Sequence, residues 1–403
     1  MRFTAKSLTK AIALALLPCL ASGASAGLLY SPVVTVVGDG TVSTSGTGYT
    51  TSVSLYDNSV ANQASPVSSA SYNSGASGLR LVNSVSATSE ASLTNNPGLA
   101  DAAAKGLAYA GNGYAYSAGY NAANGTASVN GAAANASRAL GDVQLSAGSV
   151  SNATVLQTQT QALAYAANNI RGANGDDGGA GAALYSAGTG SGATGGWRNF
   201  NSNTILSAAP TNVRTVESLG GYLFGTTGSG STVGIYLIDS TGATAATPWL
   251  TTGTSSNHSP YEFALFKDSS NQSSINGYNV AYIADDGAAA AAAGGIEKWV
   301  YNGTTWTQAY ILRDTSLATG VFYRGLAGEM DPTTGAFTLF ASTTDGKLLQ
   351  QVTDTGAASA FTTLATAPTN EVFRGVALAP VSVPEPSTVI LAGLGLGLAV
   401  ICR

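Results

Sequence analysis

The single histidine of the chain, His258, is the first residue to weigh for chemistry. It sits in Ser255-Ser256-Asn257-His258-Ser259-Pro260, a polar stretch that reads as an exposed loop before a strand. A Ser-His-Asp hydrolase would need it as the base beside an activated serine. The sequence offers no Gly-x-Ser-x-Gly elbow with an evident nucleophile, so no catalytic residue is assigned. One imidazole by itself also makes no transition-metal site.

Carboxylates are the next donors. Asp176-Asp177-Gly178 and Asp285-Asp286-Gly287 each place two acids beside a glycine. Ca²⁺ takes six to eight hard oxygens and tolerates loose geometry, so Asp176, Asp177, Asp285 and Asp286 are the candidate metal ligands. Neither pair has full EF-hand spacing. The competing reading is an Asp that opens a turn by hydrogen-bonding its own backbone, and it is the one preferred. No other cofactor is expected. Arg171, Arg214, Arg324 and Arg374 recur near the second position of similar strands. They could face a central channel and hold anions, or pair with acids such as Glu217 or Glu329; a structural role is preferred. Trp197, Trp249, Trp299 and Trp306 could stack on sugars, but their strand positions favour packing. Glycine runs such as Gly172 to Gly175 lack the Gly-Lys-Ser/Thr of a phosphate loop.

Short strands must position these residues. From residue 213 onward a four-strand unit recurs with a spacing of roughly 50 to 60 residues, the period of a propeller blade. The first copy reads Val213–Val216, Tyr222–Gly225, Gly234–Asp239 and Thr247–Leu250. The second reads Tyr261–Ala264, Val280–Ala284, Gly295–Val300 and Trp306–Leu312. The third reads Tyr323–Leu326, Phe337–Ala341, Gly346–Gln351 and Phe361–Ala365. Weaker copies precede them. Ile170–Ala173, Ala183–Ser186 and Thr204–Leu206 supply three strands of one blade. Ala87–Thr94, Gly106–Ala110, Arg138–Leu145 and Ala153–Thr158 supply another, with 112–136 as an Ala/Gly/Asn-rich insertion.

The last strand, Phe373–Leu378, matches the first strand of a blade but has no successors. N-terminal segments Leu28–Val37 and Thr50–Tyr56 can complete its blade, closing the ring and covering raw edges. The expected fold is therefore all-β: a β-propeller of four-stranded blades, six preferred and seven possible.

Both ends carry a different kind of information. Arg2, Lys6 and Lys10 precede an apolar run, and Ala24-Ser25-Ala26 offers small residues for cleavage. Residues 1–26 thus read as a signal peptide, with signal peptidase as partner. At the far end, Pro384-Glu385-Pro386 leads into apolar Val389–Ile401 and a terminal Arg403. The prolines stop a helix from running back, the run is short for a span of about 20 residues, and the terminal cation can snorkel.

This tail resembles the PEP-CTERM sorting signal, with Pro384, Glu385 and Pro386 as its tripeptide. The resemblance implies export and recognition by an exosortase, a membrane cysteine protease thought to cleave the tail. It also implies a transient membrane anchor in 381–403, in bacteria that make exopolysaccharide. The body, 27–380, is similar to propeller-like ectodomains of such proteins in Phe373–Pro380 and in Tyr282–Gly287 with Gly294-Gly295-Ile296. That likeness carries fold and location only.

With the ends removed about 358 residues remain, without cysteine, so disulfides and thiolate chemistry are excluded. Twelve basic residues then face 20 or 21 acids with no basic cluster, which excludes a nucleic-acid partner. The expected function is a secreted or cell-surface, non-enzymatic binding or structural propeller of the extracellular matrix or biofilm, associated with extracellular polysaccharide. A propeller lyase or glycosidase is the alternative; it would need a carboxylate pair or a His/Tyr/Arg set around the channel.

Overall fold

The computed structural model describes residues 28–41, 47–72, 79–85, 91–109, 113–129, 136–160, 164–176, 183–190, 194–268, 274–287 and 294–381. Ala24, Ala26, Asp177, Pro384, Glu385 and Pro386 lie outside them, as does the rest of both terminal signals.

Four blades are separate four-stranded antiparallel sheets. Blade three is β9 (Ile170–Gly175), β10 (Leu184–Gly188), β11 (Gly196–Asn199) and β12 (Thr204–Ser207). Blade four is β13 (Val213–Leu219), β14 (Tyr222–Thr227), β15 (Val233–Ile238) and β16 (Thr247–Gly253). Blade five is β17 (Pro260–Phe266), β18 (Val280–Asp285), β19 (Gly295–Tyr301) and β20 (Trp306–Leu312). Blade six is β21 (Tyr323–Met330), β22 (Phe337–Thr343), β23 (Leu348–Thr353) and β24 (Phe361–Thr366).

The remaining strands form one continuous sheet that contains two further blades. Blade one begins with β25 (Val372–Pro380), pairs it with β1 (Tyr30–Val37), and continues through β2 (Gly48–Leu55) to β3 (Ser68–Ser71). Blade two is β5 (Leu93–Asn95), β6 (Gly113–Asn121), β7 (Ser137–Ser146) and β8 (Ser149–Gln159). A short strand, β4 (Val82–Ser84), pairs with both β2 and β6 and so bridges the two blades. The protein is thus a six-bladed β-propeller. The β1–β25 register runs antiparallel from Tyr30↔Pro380 to Val37↔Val372. The expected closure by strands from both termini is the one observed.

The expectations missed three things. Segment 112–136 is not a simple insertion, because β6 occupies Gly113–Asn121; of the expected strand Gly106–Ala110, the described residues 106–109 form no strand. β6 reads Gly-Tyr-Ala-Tyr-Ser-Ala-Gly-Tyr-Asn and is buried along most of its length, with Tyr114, Tyr116 and Tyr120 on one face and small residues on the other; the Ala, Gly and Asn content around it reads as an insertion. β11, with Trp197 at its centre, went unread. A helix, α1 (Pro97–Ala104), follows β5 and tucks Leu99, Ala103 and Ala104 inward. Pro97 suits its first turn, where an N–H has no helical partner.

The inner strands succeed one another around the axis as β25, β5, β9, β13, β17 and β21, returning to β25. They approach closely. A Cβ on Gly375 would lie 2.1 Å from Leu93 N, and one on Gly325 would lie 2.3 Å from Arg374 O. Three of the four recurring arginines, Arg171, Arg324 and Arg374, are followed by glycine, and this Arg-Gly pair has its reason here: the glycine lets neighbouring inner strands touch. Apolar clusters fill the wedges between blades, for example Phe266, Tyr282, Leu326, Phe337 and Leu339 between blades five and six.

Candidate functional site

At the axis the inner strands carry carboxylates. Glu262 on β17 is buried, and its side chain reaches across the ring. Its Oε1 accepts from Leu93 N at 3.0 Å, and its Oε2 from Leu326 N at 2.9 Å and Val376 N at 3.0 Å. One residue therefore ties β17 to β5, β21 and β25. Asn95 adds a two-way bond to Leu378, and Asn174 bonds Thr94, Asn95 and Ser218. The axis is a polar stitch between the inner strands of different blades.

Glu217 on β13 lines the same axial cavity, of about 40 Å³, with Glu262 and Thr94. Burial, with the negative charge of Glu262 adding to it, pushes the Glu217 carboxyl up to about 8. Glu217 keeps a modest accessibility and lines this space, which is large enough for a few waters. The folded protein thus holds this proton to about pH 8, whereas the unfolded chain releases it near the ordinary glutamate value of 4.5. Between those values the folded state binds more protons, so stability falls as pH rises. Glu217→Gln copies the protonated form. At pH 8 it is expected to be more stable than the wild type by roughly 1–3 kcal/mol, with little difference at pH 5, since cavity water relieves part of the penalty. Thermal melts of both proteins across that range check this. Glu329 keeps some slope in the variant, because burial pushes it, too, up to about 8.

The recurrent arginines gather towards one mouth of the channel. Arg214 lies 3.7 Å over the Tyr261 ring and Arg324 4.6 Å over it. Arg324 also pairs with Asp286, at 2.7 Å. Arg171 donates to Asn212, and Arg374 to the Val85 and Phe373 carbonyls. Glu217 and Glu329, weighed as their partners, sit elsewhere: Glu217 in the cavity, and Glu329 accepting from Leu29 N at 2.8 Å. Among the described residues the cavity here, between Arg214, Tyr261, Glu262 and Arg324, is only about 10 Å³. It does not admit a sugar ring.

His258 departs from its expected setting. It is not an exposed loop residue without partners. Its Nδ1 lies 2.8 Å from Glu297 Oε1 and 3.5 Å from Asp285 Oδ2. Both carboxylates have no exposed side-chain surface, while His258 keeps 16%. Strand register builds the cluster. Asp285 ends β18 opposite Gly295, so Glu297, two residues on, faces the same side, and Trp299 follows it. Trp299 Nε1 donates to Glu297 Oε2 at 2.8 Å; the Ser259 and Gly287 amides donate to Asp285. Asp285 and Glu297 push the imidazole up to about 10, so His258 is a cation at neutral pH. The two residues of Asp285-Asp286 thus point to different partners, one to His258 and the other to Arg324. Asp176 closes β9 in another blade.

The tryptophans divide. Trp197 is fully buried and Trp299 nearly so. Trp249 on β16 and Trp306 at the start of β20 are half-buried and line a surface groove of about 740 Å³. Their rings meet edge to face at 4.9 Å, and Tyr301 lies 5.5 Å from Trp306. Tyr301 and Trp306 are cross-strand partners flanking the β19–β20 turn. Thr251, Thr304, Thr305 and Ser274 complete the walls. Among the described residues the buried Ser274 Oγ makes no hydrogen bond.

Residues 382–403 match the model of the PEP-CTERM protein-sorting motif. The chain is therefore an exported protein of the exosortase-sorted kind, held transiently at the membrane by its tail before processing. Among the described residues no helix is long and apolar enough to cross a membrane. Comparison with curated proteins gives no match. Among solved structures, the chain is similar to one from Bacteroides uniformis ATCC 8492 described as a candidate 6-phosphogluconolactonase. That pair has 12% identity over 84% of this chain and 83% of the other, with a TM-score of 0.37. A Lactobacillus plantarum protein gives 12% identity over 84% and 82%, with a TM-score of 0.38. A protein of unknown function from Desulfotomaculum acetoxidans DSM 771 gives 10% over 87% and 99%, with a TM-score of 0.39. At such low TM-scores these likenesses carry no weight; the propeller assignment stands on the strand pairing of this chain.

Proposed function

We propose that the protein is a non-enzymatic, carbohydrate-binding propeller that serves at the cell surface or in the extracellular matrix, with extracellular polysaccharide as its partner. Residues 1–26 would be removed by signal peptidase, leaving 27–380 as the working body and 381–403 as the sorting segment. The observation that carries the binding reading is the groove between blades four and five. Trp249, Trp306 and Tyr301 offer half-exposed aromatic faces, and threonine and serine hydroxyls ring them. Aromatic faces take the apolar C–H side of a sugar, and hydroxyls at the rim take its polar edge. The groove is shallow and uncharged, which suits holding a chain more than cleaving one.

The enzymatic alternative finds less support. The axial carboxylates Glu217 and Glu262 sit in a space of about 40 Å³, and Glu262 is committed to three backbone amides.

The test is titration of the purified protein with polysaccharide from the producing cell and with a glycan array. Binding is expected without turnover. Trp249→Ala and Trp306→Ala should each weaken it at least about tenfold, as loss of an aromatic anchor does, while leaving the fold intact. Appearance of reducing ends or unsaturated sugars would instead establish the enzyme.

A further inference from the structure

We infer that His258, Asp285 and Glu297 form a binding site for a borderline divalent transition ion of the zinc type, at the end of blade five where β17 and β19 begin and β18 ends. The three donor atoms all lie within 4.8 Å of one another. Nδ1 and Asp285 Oδ2, at 3.5 Å, are spaced much as two ligands of a tetrahedral ion bonded at about 2.0–2.2 Å would be. Nδ1 and Glu297 Oε1, at 2.8 Å, need to part by a few tenths of an ångström once the shared proton leaves. One imidazole nitrogen with two carboxylate oxygens is a donor set for zinc-like ions; calcium takes six to eight oxygens.

Charge gives an independent reason. Two carboxylates without exposed side-chain surface face a single monovalent cation. Among the described residues no other basic side chain pairs with either of them. Burial of two carboxyl groups against one imidazole leaves them short of compensation, and buried charge is ordinarily paired or bound to metal. A divalent ion would supply that compensation.

The outer contacts are those of a held ligand set. Trp299 fixes Glu297 through Oε2 and leaves Oε1 for the cation. The Ser259 and Gly287 amides fix Asp285. Such second contacts orient metal ligands and sharpen affinity. Gly253 leaves the room the imidazole needs, since a Cβ there would stand 2.6 Å from His258 Cδ2. Entry is open through the exposed loop 254–257.

The experiment uses the chelator-stripped purified protein and ¹⁵N-labelled histidine. Because His258 is the only histidine, its ring nitrogens are read without assignment. One equivalent of Zn²⁺ is expected to shift Nδ1 strongly, and competition with a chromophoric chelator should give one ion per chain. Ca²⁺ at the same concentration should leave the ring signal in place. Glu297→Gln should lower Zn²⁺ affinity at least about tenfold, since ligand-shell losses reach 10–100-fold. An unchanged Nδ1 signal at saturating Zn²⁺, or binding equal in the folded variant, overturns the site. The ring readout needs only the wild type, so it decides the matter even where the variant fails to fold. It is also independent of glycan binding at the Trp249 groove.

Discussion

Glu262→Ala is expected to lower the melting temperature by on the order of 10 °C, the largest effect of any single axial substitution. The alanine leaves the Leu93, Leu326 and Val376 amides without their acceptor, on three different inner strands. An unmet buried donor costs about 1–3 kcal/mol, and the 40 Å³ cavity admits water to soften part of that loss. A net cost of about 3–6 kcal/mol follows. Glu262→Gln should fall between. Its carbonyl oxygen can serve two of the amides, but its NH₂ group then confronts the third donor. Thermal melts by circular dichroism would check the order wild type, Gln, Ala. Equal melting of all three would show that the stitch across the axis contributes nothing.

His258→Ala is expected to cost about 3–5 kcal/mol, the range for stripping one partner from a buried ion pair. The loss has two parts. Asp285 and Glu297 would remain buried side by side without a cation, and a void would open against Gly253. Asp285→Asn in the same background should recover part of the stability by removing one of the two like charges. Chemical denaturation of the single and double variants measures both steps. A single variant as stable as the wild type would mean that the cluster is solvated in solution.

The legibility of this chain differs between its halves for a physical reason. In β13 to β24 apolar side chains such as Phe224, Ile235, Ile283 and Leu339 stand out against glycine-rich turns, and each strand is visible. In blade two the same architecture is built from Ala, Gly, Ser and Tyr. β6 lies between β5 and β7 with close neighbours on both sides, so small residues serve where large ones would clash. Gly119, for example, would press a Cβ to within 2.8 Å of Asn83. One face of β6 is reduced to Gly, Ala and Ser opposite Tyr114, Tyr116 and Tyr120, so the strand lacks the apolar run that marks β13 to β24. The Arg-Gly repeat was visible, but its reason, contact between inner strands, belongs to the closed ring.

The site was less legible than the fold. His258 stood out as a unique residue, and Asp285 as a possible ligand, yet neither pointed to the other. Glu297 lies 39 residues from His258 and joins it only because β18 and β19 pair in the register Asp285↔Gly295. One hint was available. In Gly295-Ile296-Glu297-Lys298-Trp299 a carboxylate holds a position on the same face as a tryptophan, an unusual choice for an inward residue without a partner. Glu262, between Tyr261 and Phe263 in a fully buried strand, carried the same hint.

The pairing of β1 with β25 also sets a timetable. The first strand made, Tyr30–Val37, has as its innermost partner the last one made, Val372–Pro380. Everything between must pass the membrane before that ladder can form, and so distant a contact is slow to find. β25 ends at Pro380, and the sorting motif begins at residue 382. The ring can therefore close only after β25, the strand next to the sorting motif, has been exported. A truncated product, stopped anywhere before residue 372, would reach the exterior as an open arc and not as a ring.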